Sequence, residues 1–299
     1  IDLNSKTMTL KTVVSTQYKN LTFKNGAVDI GVHAGRKVGE HTWTKLFYVE
    51  SSELKFDNVT LTYTNGVSAV GISTGGGAKL TFKDCTLNFA NCDKPISLGT
   101  TGDIVFDHTV IDADKATTYI AHGEDTCGPV IFKNGSSVTM KDCGGLNSNG
   151  TVEMSDTTVN ATGLKNPLFR NSSVTLVSNA KIFVDGATNM YGYNAWELVV
   201  NAGCTFDVRN CGYTGAIFNR GGSVFKSGST VVISNCCVTE NTTHACYGKD
   251  NAIRAYGDLT IEDGADVRLY GTIDAFSGPG TITIADGRYT KLVQSVATE

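Results

Sequence analysis

Residues 53–63 read ELKFDNVTLTY and residues 79–89 read KLTFKDCTLNF. In each stretch apolar and polar positions alternate, with Leu80 and Phe82 pointing one way and Thr81 and Lys83 the other. A period of two is that of a short strand buried on one face. Asn or Asp closes each strand, and these residues tolerate the left-handed backbone that a sharp corner needs. The pattern apolar–x–apolar–x–(Asn or Asp) recurs at Asn25, Asn58, Asp84, Asp142, Asp156, Asn210, Asn235, Asp263 and Asp286, with His108 as a variant of the last position. Asn58 to Asp84 is 26 residues, Asn210 to Asn235 is 25, and Asp263 to Asp286 is 23. Self-similarity at such a period means stacked units.

A second strand starts directly after the corner, as in VSNAKIFVDG and IEDGADVRLYG. Three short strands with their corners fill about two dozen residues, one coil of a parallel β-helix, and each strand pairs with its equivalent about 4.8 Å away in the next coil. A leucine-rich horseshoe would carry a fixed Leu ladder and a helical segment, and neither is present. The pattern therefore predicts an all-β chain: one right-handed parallel β-helix over residues 1–299, of about 10 or 11 coils, with irregular loops leaving one edge.

These repeats resemble the right-handed β-helix of the pectate-lyase-like superfamily. The opening IDLNSKTMTL followed by YKNLTFKNGAV is similar to the surface β-helix repeats of gut bacteria. The resemblance covers nearly the whole chain and implies the fold. Activity does not follow from it, because this fold carries enzymes, tailspikes and adhesins alike.

Composition refines the picture at few points. The 33 glycines and 4 prolines suit a turn-rich, strand-rich protein, and a net charge of −4 without a basic run argues against nucleic acid as a partner. No apolar run approaches the length of a membrane span. The first residues read as a strand already under way rather than as a secretory signal, so a fragment of a larger surface or secreted protein is expected.

Nine cysteines are spread along the chain. Cys85, Cys143, Cys211 and Cys236 each follow a corner Asn or Asp, which places them in one phase of the coil as small buried apolar groups. Cys211 and Cys236, about one coil apart, are also a disulfide candidate, since a one-coil spacing lies within the Cα–Cα range of such bonds. Cys85/Cys92 and Cys204/Cys211 share a seven-residue separation and are further candidates; Cys204/Cys211 competes with Cys211/Cys236 for one sulfur. There is no CxxC pair, and the five histidines are scattered, so no metal site is expected.

Hydrolases that resemble this fold present paired Asp residues with Gly-His-Gly and Arg-x-Lys motifs, which the chain lacks. Lyases of the family use Ca²⁺ held by carboxylates together with an Arg base. For them the segment IVFDHTVIDAD would supply Asp107, Asp112 and Asp114, with Arg170 or Arg254 downstream. A polysaccharide lyase or hydrolase acting on an acidic polysaccharide is therefore one alternative. In it Ca²⁺ would be the cofactor; no cofactor is otherwise implied.

Departures from the period fall at 33–51, 112–129, 185–197 and 238–257. They hold Trp43, Tyr119, Tyr191, Tyr193, Trp196, Tyr247, Arg254 and Tyr256. Solenoids commonly place insertions on one binding face, and Tyr, Trp and Arg are favoured in recognition surfaces. The expected role is that of an extracellular, adhesin-like module on a bacterial surface, binding a host protein (such as immunoglobulin or mucin) or a glycan. A non-binding stalk is the other alternative.

Overall fold

The chain is an all-β, parallel β-solenoid. The computed structural model describes residues 1–10, 14–30, 36–38, 41–43, 46–66, 71–99, 102–123, 128–187, 193–211, 217–236, 251–270 and 274–285. They fall into two compact units, Ile1–Glu153 and Met154–Glu299.

In the first unit each coil contributes a strand to three walls. On the first wall Glu53–Thr64 begins in register with Lys79–Lys83, which pairs with Asp103–Asp107 and then Val130–Lys133. On the second wall the later half of Glu53–Thr64 leads to Thr86–Ala90, Val110–Asp114 and Ser137–Lys141. On the third wall Phe47–Glu50, Ile72–Thr74, Ile96–Leu98 and Tyr119–Gly123 follow one another. All of these pairings are parallel, as equivalent strands of successive coils must be.

Alternation and parallel register together build the core. The second apolar position of each first-wall strand is Phe, and the rings of Phe23, Phe56, Phe82, Phe106 and Phe132 stack in file. Successive centroids lie 5.5, 5.3, 5.3 and 4.6 Å apart. The spacing is close to the strand repeat, so each ring meets its neighbour face to face because the backbone places it there. Phe47, at the start of its third-wall strand, meets Phe23 and Phe56 edge-on at 5.7 and 5.5 Å. Leu61, Leu87, Ile111 and Val138 form the matching buried file on the second wall.

The outward residues of the first wall alternate in charge. Lys24, Asp57, Lys83, Asp107 and Lys133 face one another rung by rung, as do Glu53, Lys79 and Asp103. Lys133 Nζ lies 3.4 Å from Asp107 and Lys79 Nζ 3.6 Å from Glu53. Such half-exposed pairs contribute little to stability, but opposite signs on adjacent strands favour the register observed. Burial raises the Asp107 pKa, yet the Asn134 amide, 2.7 Å away, and Lys133 outweigh it and hold the carboxyl below its ordinary range.

The corner residues take the conformation expected of them. Asn25, Asn58, Asp84, His108 and Asn134 all have φ between 49° and 57°. A single motif serves two corners, so Cys85, Cys143, Cys211 and Cys236 do not share the one phase that the spacing predicts. Asn25, Asn58, Asp84 and His108 close first-wall strands, whereas Asp142 closes the second-wall strand Ser137–Lys141. The cysteines divide accordingly. Cys85 follows a first-wall corner and is in phase with Val59 and Thr109 (all buried), whereas Cys92 and Cys143 follow second-wall corners and are in phase with Ala116. The strand pattern is the same on both walls, which is why spacing alone merged them.

The second unit repeats this plan. Its second wall runs through Thr158–Leu164, Lys181–Ala187, Thr205–Arg209, Thr230–Ser234 and Asp266–Tyr270. Its third wall includes Ile217–Asn219, Asn251–Ala255 and Asp274–Ser277. Asp156 and Asn179 are the left-handed corners after first-wall strands; Gly203, Gly228 and Gly264 take that place in later coils, with φ from 74° to 80°. Cys204 is buried at this corner, while Cys211 and Cys236 sit after the second-wall corners Asn210 and Asn235. The six described cysteines, including the disulfide candidates Cys85, Cys92, Cys211 and Cys236, are buried and form no disulfide. The Cys211 N–H lies 3.4 Å from Cys236 Sγ and donates to it.

Candidate binding surface

In the second unit the turn from the third wall back to the first is short and pinned from inside. Ala195, Asn219 and Ala255 are in register on successive rungs. Asn219 is fully buried, and its side-chain amide donates to Ser223 Oγ at 3.0 Å and to the Gly221 carbonyl at 3.2 Å. Ser223 Oγ in turn accepts the Leu198 N–H at 3.1 Å. Glycine at 257 lets the rungs close: a Cβ there would run into the carbonyl of Gly221. The turn is thus fixed before its outward side chains are considered.

Those outward side chains are the residues that follow the registered three: Trp196, Arg220 and Tyr256. Trp196 is 50% exposed and Tyr256 42%. The Arg220 guanidinium lies 6.0 Å from the centre of the Trp196 ring. Arg254, two residues before Tyr256 and on the same face of its strand, lies 5.1 Å from the tyrosine ring centre and donates to its hydroxyl at 2.9 Å. The result is an exposed strip in which aromatic rings and guanidinium groups alternate. Rings whose faces attract cations and whose rotamers are limited bind at low entropic cost. Trp, Tyr and Arg are also the residues that dominate interface energetics.

Trp196, Arg254 and Tyr256 were expected in a binding surface, and the fold brings the three together. Arg220 was not expected. Its segment FNRGG lies outside the long departures from the period, and only the register of Ala195, Asn219 and Ala255 reveals that it continues the series. Tyr119 is corrected. Rather than standing in a loop, it begins the strand Tyr119–Gly123, is 3% exposed, and lies 6.4 Å, ring to ring, from His122. It is a buried residue of the third wall. Tyr191 and Tyr247 lie outside the described residues, as do the side chains of Trp43 and Tyr193.

The acidic candidates are spread over two walls. Asp107 belongs to the charge file of the first wall; Asp112 and Asp114 lie past the His108 corner, on the second wall. Neither Asp112 nor Asp114 stands in a loop: Asp112 is in register with Asn88 and Thr139, and Asp114 with Ala90 and Lys141. Asp114 pairs with Lys115 at 3.7 Å. Arg170 is exposed in the strand Phe169–Ser178 of the second unit, in register with Asn194. Among the described residues, no group of three or more His, Cys, Asp or Glu could hold a metal ion.

No family model, no curated protein and no solved structure matches the chain.

Proposed function

We propose that this chain is an adhesin-like binding module of an extracellular bacterial surface or secreted protein, built on a β-helix of the pectate-lyase-like kind. It engages a host protein, such as immunoglobulin or mucin, or a glycan. The observation that supports this reading is the exposed strip of Trp196, Arg220 and Tyr256, set on a turn held by the buried Asn219 and Ser223. The mechanism is geometric. Rungs that are hydrogen-bonded on both sides keep the strip in one arrangement before the partner arrives, so little ordering entropy is lost on binding. Rings supply contact area with few torsions to freeze, while guanidinium groups supply directional donors.

The test is a screen of the chain against immobilised host proteins and glycans, repeated with the Trp196→Ala/Tyr256→Ala double variant. The reading expects at least one partner whose signal is lost in the double variant, with the far-UV circular dichroism of the protein unchanged. An empty screen, or a partner whose binding ignores both substitutions, would refute it; an empty screen would favour the stalk.

A further inference from the structure

We infer that the outer face of the second wall in the second unit carries a separate site for a neutral carbohydrate, centred on Phe183. This inference does not draw on the Trp196 strip, and its failure would leave that reading standing.

Three neighbouring rungs form the site. Phe183 stands on the middle rung, in register with Asn160 on one side and Asp207 on the other. Outward positions of a strand are normally polar, yet this ring is 37% exposed. Asn160, Thr162, Phe183, Asp185, Asp207 and Arg209 line a groove of about 240 Å³ around it. That volume is just below the roughly 300 Å³ at which sites for drug-sized ligands begin, which is the scale of a single sugar ring.

The polar groups are set in advance. Although it points outward, Asp207 has a side chain only 6% exposed. It accepts two hydrogen bonds from Arg209, from Nε at 2.9 Å and Nη2 at 2.6 Å. This fork-to-carboxylate pairing fixes the plane of the guanidinium beside the ring. The pairing leaves the Nη1 hydrogens of Arg209 uncommitted among the described residues. On the adjacent rung, in register with Arg209, Asp185 Oδ1 accepts the Asn210 amide at 2.6 Å, which orients that carboxylate.

The lining also selects the ligand class. Arg209 and Asp207 neutralise each other, so Asp185 leaves the groove net negative and an acidic sugar would be repelled. Neighbouring hydroxyls of a neutral pyranose fit this arrangement: one accepts from Arg209 and another donates to Asp185. The C–H face of the same sugar lies on Phe183, drawn by the negative face of the ring. An apolar ligand would leave the oriented carboxylate and guanidinium without partners.

The test is calorimetric titration of the full chain with neutral gluco-, galacto- and manno-oligosaccharides, and with uronate-containing ones for contrast. We expect a neutral oligosaccharide to bind, and its affinity to fall about tenfold in Phe183→Ala and in Arg209→Lys. Trp196→Ala should leave that affinity unchanged. Phe183→Ala removes a ring outside the core, so it remains informative if Arg209→Lys unfolds the protein. The site is refuted if no neutral oligosaccharide binds, if uronates bind more tightly, or if Phe183→Ala is without effect. Binding that is lost in Trp196→Ala but kept in Phe183→Ala would assign the sugar to the other surface.

Discussion

Removing one ring from the phenylalanine file tests the packing that positions everything else in the first unit. Phe82 is fully buried, between Phe56 at 5.3 Å and 9° and Phe106 at 5.3 Å and 5°. Phe82→Ala loses the transfer free energy of the ring and leaves a cavity that the flanking rungs, held by their own hydrogen bonds, cannot close; the expected cost is about 3–5 kcal/mol. Within that sum the two lost ring contacts contribute about 0.5–1.5 kcal/mol each. Phe82→Leu retains most of the volume and should cost about 1.5 kcal/mol or less. Urea unfolding followed by far-UV circular dichroism reads both, with Phe183→Ala as an outer-face control expected at about 1 kcal/mol or less. In a stack coupled only between neighbours, the weakened rung should also raise amide exchange first in the strands beside it. If Phe82→Ala costs under about 1 kcal/mol, or no more than Phe183→Ala, the file does not bear on stability and the argument fails.

Two further outcomes follow from the corners and the thiols. Asn58 has φ 53°, so Asn58→Ala should cost about 1–2 kcal/mol in urea unfolding, while Asn58→Gly should be nearly neutral; equal effects would contradict the corner argument. Burial pushes the Cys85 and Cys92 thiols up, to about 11 and about 12. Because the folded values lie above the unfolded ones, this stability is complete below the unfolded value and is lost as pH rises towards the folded values. Cys85 and Cys92 of the native protein should therefore resist an aromatic disulfide reagent at pH near 8, and the protein should lose stability above about 9, the range in which unfolded thiols ionise. Rapid labelling of native Cys85 or Cys92 would contradict it.

The sequence carried the fold because alternation and corner chemistry act locally: KLTFKD specifies a strand, its inward face and the turn after it without reference to the rest of the chain. The distinction between the two corner types was not legible, since Asp84 and Asp142 end strands of the same pattern and differ only in which wall precedes them. Tyr119 was misplaced for a related reason. A strand interrupting a long non-periodic stretch looks like loop when read along the chain, and only pairing with Gly145 and Asn147 shows it as wall. The surface sites depend on register, a property between coils. Trp196, Arg220 and Tyr256 are 24 and 36 residues apart in the sequence, yet they follow three residues that stand on adjacent rungs. Phe183 carries little signal in the sequence, because an outward aromatic breaks the alternation by only one residue.

The central functional claim is that Trp196 lies in a contact surface. The chain has two tryptophans, so Trp43→Phe leaves Trp196 as the sole indole reporter. For any partner that binds this variant, the account predicts a saturable change in tryptophan emission together with protection of the indole from a soluble quencher. Binding at full strength with emission and quenching both unchanged would show that the partner sits elsewhere.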